Sequence, residues 1–156
     1  MVQTAPSLSL RDLQASELAS LLRLYAQLHP TDDPLPPAAE VEALWTELLA
    51  SGRYRYFGGF IADRLVSTCT LAVIPNLTRG CRPYGLIENV VTDVAWRGHG
   101  YGKALLVHAQ HAAWDAGCYK VMLMTSRQDP ATLGFYRAAG FDGDGKRAFV
   151  ARPPAA

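Results

Sequence analysis

A strand that runs straight into glycines at alternate positions and then into a helix constrains this chain more than any other feature. The stretch is Val90-Val91-Thr92-Asp93-Val94-Ala95-Trp96-Arg97-Gly98-His99-Gly100-Tyr101-Gly102-Lys103-Ala104. Glycines at 98, 100 and 102 strip the turn of side chains, so successive backbone N–H groups can point one way and approach an anion closely. The helix predicted over Tyr101 to Ala116 aims the positive end of its dipole at the same place, and Arg97 and Lys103 add full charges beside it. Such a turn suits phosphate.

Spacing decides among phosphate turns. A Walker loop has a glycine five residues before its Gly-Lys pair and a hydroxyl after the lysine, whereas Arg97 and Ala104 occupy those positions. A dinucleotide fingerprint needs G-x-G-x-x-G and an acidic residue closing a strand about 20 residues on, and this stretch has neither. What remains, Arg97-x-x-Gly100-x-Gly102 at the end of an apolar strand, resembles the pyrophosphate loop of the GNAT superfamily of acyl-CoA N-acyltransferases. For the loop alone, a glycine-rich turn without a ligand is the alternative. Against that alternative stands Gly134-Phe135-Tyr136-Arg137-Ala138-Ala139-Gly140-Phe141, which resembles the F-Y-x-x-x-G-F segment closing the CoA site of the same superfamily. It falls at the expected distance downstream. The resemblance covers Leu86 to Phe141 well and the N-terminal helices loosely. Ile87-Glu88-Asn89-Val90-Val91 and Gly117-Cys118-Tyr119-Lys120 are most similar to glucosamine 6-phosphate N-acetyltransferases and small bacterial relatives.

Periodicity supplies the rest of the frame. Leu8 and Leu10 alternate with polar residues, which predicts a first strand over Ser7 to Arg11. Leu18, Leu21, Leu22, Tyr25 and Leu28 recur at helical spacing, with Arg23 and Gln27 expected to face away. Pro30 ends that helix. A second follows over Ala38 to Ala50, with Val41, Leu44, Trp45 and Leu48 on one face. Tyr54 to Ala62 and Leu65 to Ile74 form a hairpin about Asp63-Arg64, and Tyr84 to Asp93 is the strand feeding the glycine turn. Tyr119 to Thr125 is apolar on both faces, as a strand covered by helices on both sides should be. Pro130 and Gly140 bracket a short helix carrying Tyr136, and Phe141 to Val150 is expected to give one or two last strands.

The order β, α, α, β, β, β, α, β, α, β describes an α/β (α+β) chain with a mixed sheet and helices on its faces. With 156 residues it is read as one domain over 1–156, with an ordered core at about 7–152. The resemblance implies the GNAT fold, with a sheet of about six to seven strands and about four helices. The strands before and after the loop helix then lie parallel and splay apart to admit the pantetheine arm.

A net charge of +1, from 15 basic and 14 acidic residues, offers no broad field for nucleic acid or an anionic membrane. A small-molecule amine is the expected partner, and a homodimer is compatible with the resemblance. The 3 cysteines, Cys69, Cys81 and Cys118, are odd in number and lack C-x-x-C spacing, which reads as reduced thiols in a cytoplasmic protein. No charged-then-apolar leader opens the chain and no apolar run reaches about 18 residues. His108, His111 and Asp115 share one side of a helix; a solvated face explains them, and no metal is expected.

Amide formation from a thioester needs a neutral amine, a donor for the oxyanion and an acid for the departing thiolate. The resemblance makes acetyl-CoA the donor, held by Val90, Val91 and Thr92 of the strand and by Arg97 through Lys103, His99 and Tyr101 included. A backbone N–H near Val90 or Val91 would take the carbonyl. The family gives the motif tyrosine, Tyr136, the role of acid; a core tyrosine bonded elsewhere is the alternative. Glu88 is the candidate base, because partial burial in an apolar strand would raise its pKa, and a structural salt bridge is the alternative. Asn89 stands where the amino-sugar enzymes carry aspartate, which leaves sugar specificity open. Two loops are candidate acceptor sites. The carboxylates of Asp32-Asp33 would attract a cationic amine, unless the prolines around them only punctuate helices. Asn76 and Arg79 would hold an anionic group, unless theirs is an ordinary solvated loop. Three functions remain open: a small-molecule N-acetyltransferase, a protein or peptide N-acetyltransferase, and a non-catalytic acyl-CoA sensor.

Overall fold

The computed structural model describes residues 7–154. The leaderless reading of the N-terminus rests on residues 1–6, which lie outside them. The elements follow in order as β1 (Leu8–Asp12), α1 (Leu18–Leu28), α2 (Ala38–Ala50), β2 (Tyr54–Ile61), β3 (Arg64–Ile74) and a single turn α3 (Thr78–Cys81). After these come β4 (Tyr84–Thr92), α4 (Tyr101–Asp115), β5 (Val121–Leu123) and α5 (Pro130–Ala138). The five strands lie side by side as β1-β2-β3-β4-β5, antiparallel from β1 to β4 and parallel between β4 and β5. The sheet is therefore mixed, as expected, but among the described residues it has five strands rather than six or seven.

Two apolar layers hold helices to opposite faces. Phe57, Leu71 and Ile87 pack with Leu105, Leu106 and Ala109 of α4. Phe60, Leu65 and Val91 pack with Leu21 and Leu24 of α1 and Trp45 of α2. Leu24 and Leu105 are fully buried, and burial of each such side chain contributes roughly 1.5–3 kcal/mol. That outweighs surface ion pairs such as Arg11–Glu17, whose kind is worth about 0–1 kcal/mol.

Four expectations are corrected. Phe141 to Val150 forms no strand: the Asp142 carboxylate accepts from the Asp144 N–H at 2.9 Å, a local turn that competes with pairing, and Phe149 and Val150 are 90% and 69% exposed. The strand predicted over Tyr119 to Thr125 shortens to the three half-buried residues of β5, because β4 diverges from it. The hairpin turns at Ala62-Asp63, one residue earlier than predicted. Arg23 and Gln27 are not simply solvated but are half-buried and bonded: Arg23 donates to Asp93 and to the Leu65 carbonyl, and the Gln27 side-chain oxygen accepts from the Val94 N–H at 2.9 Å. The supposedly polar side of α1 is its attachment to the end of β4.

Candidate functional site

The site begins with one extra residue in β4. Thr68 pairs with Val91 and Thr70 with Glu88, so Cys69 alone of β3 faces both Asn89 and Val90 of β4. This is a β-bulge, and Asn89 adopts a left-handed φ of 52° within it. Asparagine enters that region more readily than other residues with a Cβ. The bulge reverses the alternation of side chains. Ile87 joins the layer under α4, yet Val91, four positions on, joins the layer under α1. Tyr25 of α1 braces the spot, its hydroxyl 3.3 Å from that of Thr70. Burial pushes the Tyr25 phenol up to about 12, against hydrogen bonds to the Thr70 and Asn89 side chains that lower it.

The bulge also opens the sheet. Pairing with β5 runs from Gly85↔Val121 to Ile87↔Leu123 and ends there, one residue before Glu88. Beyond Ile87 the strands separate into a cleft of about 1150 Å³. Backbone N–H groups of β4 that would have paired with β5 are thus directed into a gap between parallel strands.

At its far end the cleft meets the glycine turn. Gly98 and Gly100 have φ of 80° and 79°, and a Cβ on either would touch nothing, so these two serve backbone conformation. Gly102 serves packing instead: a Cβ there would stand 3.0 Å from Thr92 Oγ1 and 3.2 Å from the Phe135 ring. The first α4 N–H to bond within the helix is that of Ala104, to Gly100 at 3.0 Å, which leaves those of Tyr101, Gly102 and Lys103 facing the turn. Arg97 Nε donates to the Thr92 carbonyl at 3.1 Å, folding the guanidinium over the end of β4. The residues present therefore fit a pyrophosphate: unpaired N–H groups, a helix dipole and two cations at one place.

Asp93 ties this turn to the rest of the molecule. Its carboxylate is buried and accepts from Arg23 at 2.6 Å, Arg64 at 3.2 Å and the Ala95 N–H at 3.1 Å. Burial by itself would raise its pKa, but the hydrogen bonds from Arg23, the Ala95 N–H and Arg64 outweigh that and lower it to about 2.

Glu88 and Tyr136 line the same cleft from its two sides, Glu88 on β4 and Tyr136 on α5. Burial raises the Tyr136 pKa; the charge of Arg127 opposes the shift and that of Glu88 adds to it. The phenol is accordingly protonated at neutral pH. Glu88 itself is exposed, not partly buried as predicted, because the bulge turns this part of β4 toward the opening.

Of the predicted donor-binding residues, Val90, Val91 and Thr92 line the cleft, as do Arg97, Gly98, Gly100, Tyr101, Gly102 and Lys103. His99 does not. It braces the loop from outside, with Nδ1 on the Arg97 carbonyl at 2.9 Å and its ring stacked on Tyr101 at 5.3 Å. The predicted acceptor residues are not brought in. Asp33 lies in an exposed loop outside the lining, and the Asn76 side chain donates to the Thr78 hydroxyl at 2.8 Å. Arg79 lies with its guanidinium 5.9 Å from the centre of the Tyr119 ring, beside the opposite end of β4. Gln27 at the end of α1, and Arg127 and Thr132 near the start of α5, line the cleft unforeseen, and His29, the first residue of the loop that is a candidate acceptor site through Asp32-Asp33, lines it as well. Only the polar character of the α1 residues hinted at this in the sequence.

Among the described residues no group of three His, Cys, Asp or Glu side chains is placed to hold a metal ion, and no helix is long and apolar enough to cross a membrane.

Comparison with known proteins agrees with this geometry. The model of the acetyltransferase (GNAT) family matches residues 18–141. A glucosamine 6-phosphate N-acetyltransferase of Trypanosoma brucei brucei is 36% identical over 135 residues, 86% of this chain and 88% of that protein. Glucosamine 6-phosphate N-acetyltransferase 1 of Oryza sativa subsp. japonica is 32% identical over 132 residues, 80% of this chain and 77% of that protein. A solved structure from Agrobacterium tumefaciens str. C58 superposes with a TM-score of 0.87 at 43% identity, covering 93% of this chain and 99% of that one.

Proposed function

This chain belongs to the GNAT acetyltransferase family, and on that premise we propose that its cleft joins acetyl-CoA to a small primary amine by direct attack in a ternary complex. Acetyl-CoA-dependent N-acetylation of a small amine is the activity its family and relatives support. The observation that carries the reading is the bulge at Asn89, which parts β4 from β5 and leaves Glu88 and Tyr136 on the walls of one cleft leading to the glycine turn.

In this reading the turn and the start of α4 hold the pyrophosphate, and the pantetheine arm lies between β4 and β5 in place of strand pairing. The acetyl carbonyl accepts from a β4 N–H at Val90 or Val91. The amine nitrogen attacks the carbonyl carbon, a C–N bond forms and the C–S bond breaks. Glu88 removes the amine proton through water, and Tyr136 gives its proton to the departing sulfur. A sensor that only bound acyl-CoA would have no need of Glu88 and Tyr136 on facing walls. The relatives' names make an amino sugar phosphate the first acceptor to try, although Asn89 departs from the sugar enzymes' pattern. The chain is read as a single catalytic domain.

The test is a screen of acetyl-CoA turnover against amino sugars and their phosphates, aminoalkylphosphonates, amino acids, polyamines and peptides. Turnover of a small amine is expected. Turnover of peptides alone would move the function to protein acetylation, and none at all would leave a sensor. Free Cys69, Cys81 and Cys118 support a cytoplasmic location, to be checked by fractionation. Exposed Phe149 and Val150 support a homodimer, to be checked by sedimentation.

A further inference from the structure

We propose that Arg127 determines acceptor specificity: its guanidinium binds an anionic group of the substrate, so the enzyme selects amines that also carry a phosphate, phosphonate or carboxylate. This rests on the acetyltransferase reading of the cleft and deepens it by naming the acceptor class.

Three arginine or lysine side chains line the cleft. Arg97 and Lys103 belong to the glycine turn, where the donor's pyrophosphate claims them. Arg127 stands apart, on the connection between β5 and α5 at the wall that carries Tyr136. It follows Leu123, the last residue of β5 to pair with β4, by four positions, where the cleft opens beside Glu88, and its charge opposes the rise that burial gives the Tyr136 pKa.

The side chain is held in advance. The Arg127 N–H donates to Thr125 Oγ1 at 3.1 Å, and its Nε donates to Asp129 Oδ2 at 3.0 Å. Asp129 is in turn anchored as the cap of α5, accepting from the Thr132 N–H at 2.9 Å and the Thr132 hydroxyl. Nε is thereby used up, while neither Nη has an acceptor among the described residues. Two parallel N–H donors on a braced guanidinium match the oxygens of a carboxylate, phosphate or phosphonate. Glu88 on the opposite wall makes no ion pair with Arg127, so the two charges face the cleft separately. An acceptor with its amine near Glu88 and its anion at Arg127 satisfies both. This also relocates the anion site expected at Arg79, which lies at the other end of β4.

The experiment measures kcat/KM for paired acceptors: glucosamine 6-phosphate against glucosamine, 2-aminoethylphosphonate against propylamine, and an amino acid against its amide. The wild type should prefer the anionic member of at least one pair. In Arg127→Gln that preference should fall by roughly 10- to 100-fold, through acceptor KM, with the KM for acetyl-CoA and the urea midpoint unchanged. Arg127→Lys should restore part of it. The pair that responds identifies the anion. Equal use of charged and neutral acceptors by the wild type, or an unchanged preference in Arg127→Gln, overturns the inference while leaving the acetyltransferase reading intact. A rise in acetyl-CoA KM with selectivity unchanged assigns Arg127 to the donor and also overturns it. A wild type that acetylates no amine removes both readings together.

Discussion

Arg23 and Asp93, 70 positions apart in the chain, meet at 2.6 Å beneath the glycine turn. One side chain comes from the middle of α1 and the other from the residue after β4, so the contact fixes where the glycine turn leaves the sheet. Arg23 also reaches the Leu65 carbonyl at 2.7 Å, and Arg64 reaches the same carboxylate, which gathers the start of β3 into the joint.

Replacing Asp93 by Asn should therefore cost about 2 kcal/mol of stability. That is less than for a fully buried pair, because the Arg23 and Arg64 side chains are 38% and 58% exposed. The pH dependence follows from the sign of the shift. The folded pKa of about 2 lies below the ordinary 3.8, so the stabilisation is present above the ordinary value and is lost as pH falls through about 2. Urea midpoints of wild type and Asp93→Asn should differ at pH 6 and converge toward pH 2. A gap that stays constant with pH would mean that the charge of Asp93 contributes nothing.

The turn glycines should fail in different ways. Gly100→Ala places a Cβ at a φ of 79°, a strain of roughly 1–2 kcal/mol, in open space beside the proposed pyrophosphate site. Its main effect should be on CoA affinity by calorimetry. Gly102→Ala drives a Cβ against Thr92 Oγ1, itself 2.9 Å from the Ser67 hydroxyl, and should cost about 1–3 kcal/mol of stability. Unchanged CoA affinity in Gly100→Ala would remove the phosphate role from the turn.

Asn89 is expected to matter for its backbone. Asn89→Gly should retain most stability and turnover, whereas Asn89→Val, forced to φ near 52°, should lose roughly 1–2 kcal/mol and lower turnover more than CoA binding. Equal stability of the two variants in thermal melts would show that the bulge survives without help from residue 89.

The loop and the tyrosine segment were legible in the sequence because short-range spacing specifies them: the glycines at 98, 100 and 102 and the pair Phe135-Tyr136 each act through local backbone. The parallel β4–β5 pair was legible through the same motif. Helix α1 was located correctly by its leucines, but the roles of Arg23 and Gln27 depend on the end of β4, dozens of residues away, and periodicity read them as solvated. The bulge left one trace, an asparagine in an apolar run, and asparagine has many uses. Phe141 to Val150 carries apolar residues enough for a strand, yet the Asp142–Asp144 turn satisfies backbone locally and no neighbouring strand extends to meet it.

Glu88 and Tyr136 are separated by their pH behaviour. Glu88→Gln should lose most turnover at low pH, where few amine molecules are neutral without a base, and the loss should shrink as pH approaches the amine's own pKa. A ratio of wild type to variant that is flat with pH would reassign Glu88 to structure.

Tyr136→Phe tests the acid. Burial moves the phenol's pKa further above its ordinary value, and Phe keeps the ring in its contacts with Phe135 and Phe141, so the substitution removes a hydroxyl and little else. The departing thiolate then lacks a partner, and kcat should fall by roughly 10- to 1,000-fold if its protonation limits the rate, with acetyl-CoA binding nearly intact. Calorimetry and steady-state kinetics on the same variant separate the cases. Equal loss of binding and turnover would make Tyr136 part of the donor wall, and sulfur would then take its proton from water or from the acceptor.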